Sequence, residues 1–133
     1  MKNRFCEEER LKGKKTFGEL LKTGNSLYLF PFRAIYSTYG SAENENVFPA
    51  NLGISVSKKK FKRAVDRNRI KRYIRESYRK IKEQDLYPFL KDNHISLKIL
   101  LIYIHSEILD AETFQLKIGS ILKKLKNVLK PNL

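Results

Sequence analysis

The run from Ser96 to Ile104 (SLKILLIYI) is almost continuously apolar, interrupted after its first residue only by Lys98. It is far shorter than the ~18 residues a membrane-spanning helix needs. A strand that leaves one face to water alternates apolar and polar residues, and this one does not, so it reads as a strand covered on both faces. The rest of the chain must supply that cover. With 133 residues, 41% of them hydrophobic, there is material for one domain with one modest core. No internal repeat, low-complexity tract or linker divides the chain, so residues 1–133 read as a single domain with a charged, loosely ordered tail over 1–12.

The remaining elements follow from periodicity and punctuation. Lys14 to Thr23 reads as a short helix with Phe17, Leu20 and Leu21 on one side, and Gly24 stands where a helix commonly stops. Ser26 to Tyr39, rich in aromatic and β-branched residues, reads as one strand with Pro31 at an edge or bulge. Gly40 to Pro49 is a polar, acidic loop. Asn51 to Val56 reads as a second strand that could pair with the first as a hairpin. A helix is expected from about Ala64 to Glu83. After Asp110, a potential cap, Phe114, Ile118, Ile121, Leu122, Leu125, Val128 and Leu129 recur at helical spacing until Pro131. The order α-β-β-α-β-α predicts an α/β (α+β) two-layer sandwich, with one central sheet packed by helices.

Charge narrows the function. Against 14 Asp and Glu stand 28 Lys and Arg, a net charge of +14. That is well above the ~2–8 that keeps a small domain soluble, and a polyanionic partner would offset the repulsion. Thirteen of the basic residues lie between Lys58 and Lys82, where only Asp66 and Glu76 are acidic. At 100° per residue the helix separates into two faces. Ile70, Tyr73, Ile74, Ser77, Tyr78 and Ile81 share an apolar side. Asn68, Lys71, Arg72, Arg75 and Arg79 gather opposite, flanked by Arg67 and Arg69. An ordinary solvated helix mixes charge signs, whereas this face has one sign. It is rich in Arg, whose planar fork suits phosphates and stacks on bases. A membrane-surface helix is disfavoured, because the apolar side carries two tyrosines and a serine and is needed for the core. Charge and periodicity therefore point to a nucleic-acid partner.

Residues 53–76 read GISVSKKKFKRAVDRNRIKRYIRE. This resembles the signature of the protein subunit of bacterial ribonuclease P: a strand ending in Val-Ser-Lys-Lys, then Ala-Val-x-Arg-Asn-Arg-x-Lys-Arg-x-x-Arg-Glu. The resemblance extends to Arg10-Leu11-Lys12, Phe17 and Gly24, and covers roughly residues 10–130. Two departures stand out. Lys60-Phe-Lys-Arg replaces a shorter, Gly-containing stretch before the helix, and Leu21 stands where many members have a second Phe.

The resemblance implies a mainly antiparallel sheet with a left-handed βαβ crossover, against the general right-handed rule. It implies a non-catalytic subunit of a ribonucleoprotein endonuclease that removes the 5′ leader from precursor tRNA. The active site and its Mg²⁺ would belong to the RNA subunit, with no catalytic residue and no cofactor or metal on the protein alone. Carried over by position, Arg67, Asn68, Arg69, Lys71, Arg72 and Arg75 would contact RNA, with Arg63 and Arg79 extending the set and Lys58 and Lys59 at the entrance of a leader cleft. Phe17, Leu21 and either Ile35 or Tyr36 would line that cleft. Tyr36 is the better candidate chemically, since its ring can stack and its hydroxyl can donate.

The rest of the chain fits this reading. A protein nuclease needs a general base, metal-binding carboxylates or a His pair. His94 lies in a polar loop and His105 follows the buried strand. Glu7, Glu8 and Glu9 are in the tail, and Glu43 and Glu45 on a loop. Cys6 reads as a free thiol, in keeping with a reducing cytoplasm. The first residues lack the apolar run of a signal peptide. A cytoplasmic protein, monomeric without RNA and with no membrane partner, is expected. The competing readings are a ribosomal or other structural RNA-binding protein, which would lack the Arg-Asn-Arg helix, and a helix–turn–helix regulator, which would not place a strand directly before its basic helix.

Overall fold

The computed structural model describes residues 10–11, 14–40 and 49–129. Cys6, Glu7 to Glu9, Lys12, Glu43, Glu45 and Pro131 lie outside them. The elements run α1 (Lys14–Thr23), β1 (Asn25–Leu29), β2 (Phe32–Gly40), β3 (Ala50–Val56), α2 (Ala64–Ile81), a π-helical turn (Lys82–Leu86), α3 (Tyr87–Asp92), β4 (Ile95–Tyr103) and α4 (Ala111–Leu129). The sheet order is β1-β2-β4-β3. The apolar strand β4 is thus internal, antiparallel to β2 and parallel to β3.

Two strand expectations are corrected. The stretch 26–39 is not one strand but a hairpin, β1 and β2 meeting at Phe30 and Pro31 with Leu29 opposite Phe32. Proline cannot donate to a ladder, and here that marks a turn. Nor does β3 pair with β2. It pairs with β4, Gly53 opposite Leu100, because a strand apolar on both faces takes the centre of the sheet. Helix α2 also ends at Ile81, two residues before the expected Glu83. In the π-helical turn that follows, Lys82 is buried, with its ammonium 5.5 Å from the centre of the Tyr87 ring.

Alternation along the strands divides the apolar residues. Phe32, Ala34, Tyr36, Leu52, Leu97, Ile99, Leu101 and Tyr103 meet Ile70, Ile74 and Tyr78 of α2 and Phe114, Ile118, Ile121, Leu122 and Leu125 of α4 in the main core. Full burial of an Ile or Phe stabilises by roughly 1.5–3 kcal/mol, so Ile70 and Ile74 alone seat α2 firmly. The Asp110 carboxylate caps α4 by accepting the Thr113 N–H at 2.8 Å, and hydrogen bonds from the Thr113 side chain and then its backbone N–H hold its carboxyl below the usual range.

On the opposite face a smaller cluster joins Leu11, Leu20, Ile35 and Leu100, with Phe17 and Ile102 packed against it. Helix α1 therefore covers only part of this face. Two glycines allow the approach. A Cβ on Gly24 would stand 2.5 Å from the Leu20 carbonyl oxygen and 2.7 Å from Ile35 Cγ2. One on Gly53 would stand 2.8 Å from Phe17 Cε1 and 3.1 Å from Leu11 Cδ2. Beside Gly53, the Leu11 N–H donates to the Leu52 carbonyl at 2.9 Å, so residues 10–11 extend the sheet past β3.

Gly53→Ala should lift α1 and cost about 1–3 kcal/mol by overpacking. Phe17→Leu in the same chain should recover part of the loss. Equilibrium denaturation of both single variants and the double variant measures this coupling, and additive losses would contradict the contact.

Candidate nucleic-acid interface

The basic helix is held by the turn before it. Lys58, Lys59 and Lys60 form a turn after β3, and the Phe61 N–H donates to the Ser57 carbonyl at 3.0 Å. Phe61 is buried, its ring 6.1 Å from that of Tyr103. The Lys-Phe-Lys-Arg departure from the family pattern is therefore an anchored turn whose Phe plugs the core. Arg67 reaches back over it, donating from Nη1 to the carbonyls of Phe61 at 2.8 Å and Lys62 at 3.0 Å. Besides the RNA contact that the motif suggested for it, Arg67 has a structural role: it is half-buried and fastens the turn to the first coil of α2.

Arg63 occupies the N-cap position without a side-chain cap. The first N–H groups of α2 and its dipole therefore add to the positive field of the side chains. Arg63, Val65, Asp66, Asn68, Arg69, Arg72 and Arg75 line a groove of ≈ 780 Å³. Arg63, Asn68, Arg69 and Arg72 are exposed; Lys71, Arg75 and Arg79 are half-buried along their stems. The Arg72 guanidinium lies 5.6 Å from the centre of the Tyr73 ring and 4.0 Å from Glu76. An exposed pair of this length contributes little stability. Arg75 is pushed below its ordinary pKa first by burial and then by Arg10, with Glu76 opposing. The sheet extension thus brings Arg10 beside α2, an addition that a contact distant in sequence concealed.

The partly covered face of the sheet lies around the end of β3 from this groove. Phe17 is half-buried over Gly53. Leu21 projects into solvent, 55% exposed, at the edge of α1. Ile35 faces α1 but is closed over by Leu20 and Gly24, at 2% exposure. Tyr36 points the other way, into the main core at 5% exposure. The preference for Tyr36 over Ile35 as a cleft residue is therefore corrected, because one step along a strand reverses the face. Beyond Phe17 this face continues as exposed Ser55 and Arg33 with half-buried Ile102, and Arg33 Nε donates to Ser26 Oγ at 3.1 Å. The exposed Lys58 and Lys59 stand where this surface turns into the α2 groove.

Among the described residues no three His, Cys, Asp or Glu side chains gather as a metal ion would require, and no helix is long and apolar enough to cross a membrane. His94 takes the left-handed conformation at the end of α3, with φ 55°, and its N–H donates to Lys91.

This arrangement is shared with characterised proteins. The sequence matches the Ribonuclease P family model over residues 5–126. It is 30% identical over 111 residues to the ribonuclease P protein component of Porphyromonas gingivalis, covering 84% of this chain and 78% of that protein. It is 32% identical over 132 residues to that of Chlorobaculum tepidum, covering 92% and 83%. The fold is similar to the RNase P protein of Staphylococcus aureus, with TM-score 0.67, 28% identity and coverage of 89% and 95%. It is also similar to that of Thermotoga maritima, with TM-score 0.68, 27% identity and coverage of 87% and 96%. An Arg-Asn-Arg helix set against a four-stranded sheet is thus accompanied by a match along nearly the whole chain, and the chain belongs to the ribonuclease P protein component family.

Proposed function

We propose that this chain works in the cytoplasm as the protein subunit of a ribonucleoprotein endonuclease that removes the 5′ leader of precursor tRNA. The observation that carries this reading is the strongly cationic surface of α2, where Asp66 and Glu76 are far outnumbered by Arg and Lys and which continues around the end of β3 onto the open side of the sheet. A long stretch of RNA can be held along such a surface through its phosphates, while unpaired bases reach the sheet. The α2 groove, with Arg63, Asn68, Arg69, Arg72 and Arg75, binds the catalytic RNA. The strip beside α1, with Phe17 and Leu21 on one wall and Ile35 packed beneath, holds the leader, with Lys58 and Lys59 at its entrance.

Hydrolysis and the Mg²⁺ it requires belong to the RNA subunit in this reading. The protein contributes binding and orientation, lowering the cost of bringing the leader to the RNA's active site. Without RNA, mutual repulsion at a net charge of +14 favours a monomer.

Reconstitution tests the proposal. RNA-free protein should leave precursor tRNA uncut at any magnesium concentration, and adding the cognate RNA subunit should give cleavage at the leader junction. Site-specific cutting by the protein alone would refute the assignment of catalysis to RNA.

Binding of the RNA subunit should weaken steeply with salt. If roughly 5–8 phosphates are neutralised, log K against log salt should slope by about −4 to −7. Arg69→Ala and Arg72→Ala should each reduce the slope by about one unit. Arg67→Ala should instead lower the melting temperature and weaken binding with the slope nearly unchanged, since its guanidinium is engaged with backbone carbonyls. Equal slope changes for all three would mean that Arg67 meets phosphate directly.

Phe17 and Tyr36 should also separate. Tyr36→Ala should cost about 3–5 kcal/mol of stability as a core truncation, and Tyr36→Phe far less, neither altering the affinity ratio for leader-bearing over mature tRNA. Phe17→Ala should lower that ratio as well as the melting temperature, because its half-exposed ring offers a stacking face. The paired measurement is melting temperature and affinity ratio for each variant.

A further inference from the structure

The tip of the β1–β2 hairpin carries an exposed aromatic group that the leader strip does not include. Phe30 is 48% exposed, and its ring meets that of His105 edge-on, with centroids 5.0 Å apart and planes inclined at 61°. The tip is fixed against the end of β4, where the Ile104 N–H donates to the Pro31 carbonyl at 2.9 Å. His105 is backed in turn by Tyr103, 6.4 Å away between ring centroids. The ring is therefore held in place while half of it faces water.

Cations flank it. The Lys60 ammonium donates to the Ile104 carbonyl, one residue from His105, and Lys60 directly follows Lys58 and Lys59. On the other side of the hairpin, Lys124 Nζ donates to the Tyr28 carbonyl at 3.1 Å, and the Tyr28 ring is itself exposed. One carboxylate intrudes: Glu107 Oε2 lies 3.8 Å from His105 Nε2. Its charge disfavours a phosphate over the rings themselves, but leaves room for a base there with its phosphate on the lysines. Held aromatic faces beside cations are what unpaired nucleic acid stacks upon.

We propose that Phe30, backed by His105 and flanked by Lys60, is a stacking subsite for an unpaired nucleotide of bound RNA. This rests on the leader reading above and extends it. Phe17 sits over Gly53, opposite Leu100, whereas Phe30 meets His105, five residues further along the chain than Leu100, beside the main-core ring of Tyr103 at the end of the sheet. At the rise of an extended chain that is about 16 Å. A short leader ends beside α1, and only a longer one reaches Phe30.

The test uses the reconstituted ribonucleoprotein and precursor tRNAs with leaders of two or ten nucleotides, alongside mature tRNA. Phe30→Ala and Phe30→Leu should bind the ten-nucleotide precursor about 5- to 100-fold more weakly than the unmodified protein, with the two-nucleotide precursor unaffected. Phe30→Tyr should restore binding. The Leu variant keeps the tip apolar but removes the aromatic face, so it separates stacking from simple packing, and melting temperatures should change little. Unchanged long-leader affinity in Phe30→Ala, while Phe17→Ala still loses leader preference, overturns the subsite alone. If the unmodified protein shows no preference for leader-bearing over mature tRNA, the leader reading falls and the subsite with it.

Discussion

Burial of β4 on both faces is the constraint on which the architecture rests. It places β4 between β2 and β3 and requires cover above and below. Because β3 runs parallel to β4, the chain must cross from one end of the sheet to the other between them. That crossover contains α2. Its apolar side is taken up by Ile70, Ile74 and Tyr78 in the main core, so its basic side can only face outward. The position of the basic α2 groove is thus a consequence of strand order, and so is its nearness to the α1 side of the sheet, since α2 starts a short turn after β3 ends.

A chain so strongly cationic must hold many positive groups in place without cancelling them. Several are fixed by neutral acceptors. Arg67 donates to the carbonyls of Phe61 and Lys62, Lys60 to that of Ile104, and Lys124 to that of Tyr28. A carbonyl orients a cation through its dipole while leaving the unit charge intact, whereas a carboxylate would neutralise it. Where a carboxylate does approach α2's basic face, as Glu76 approaches Arg72, the 4.0 Å separation and exposure leave the pair weak. The positive field therefore remains for phosphate, and the backbone supplies the geometry.

What the sequence disclosed and what it hid divide along a physical line. Local patterns were legible. The bounds of α1, the two faces of α2, the two-sided burial of the middle of β4 and the Asp110 cap depend on residues close in sequence and are present in the structure, although on the α1 face Lys98 and Ile102 are only half-buried. Features set by contacts distant in sequence were not. Aromatic and β-branched residues on both sides of Pro31 made a hairpin look like one strand. Between Ile35 and Tyr36 chemistry favoured the tyrosine, the residue that the pleat turns inward. Arg67 looked like its neighbours in the motif, and only the fold shows the two carbonyls it meets. Arg10 gave no sign of approaching Arg75, because the sheet extension that brings it there is a tertiary contact.

The two surfaces proposed to meet RNA are held in relation by one short piece of chain. At Gly53, the absence of a side chain lets Phe17 and Leu11 settle on one face of β3. A few residues later Phe61 enters the core on the other face, and Arg67 fastens the intervening turn to α2. The end of β3 is therefore pinned from both sides, and Lys58, Lys59 and Lys60 are displayed between the pins. A flexible connection here would let the α2 groove and the leader strip move independently, and RNA bridging them would lose the entropy of fixing that motion. With the connection anchored, much of that cost is met when the protein folds, and binding at one surface leaves the other already in position.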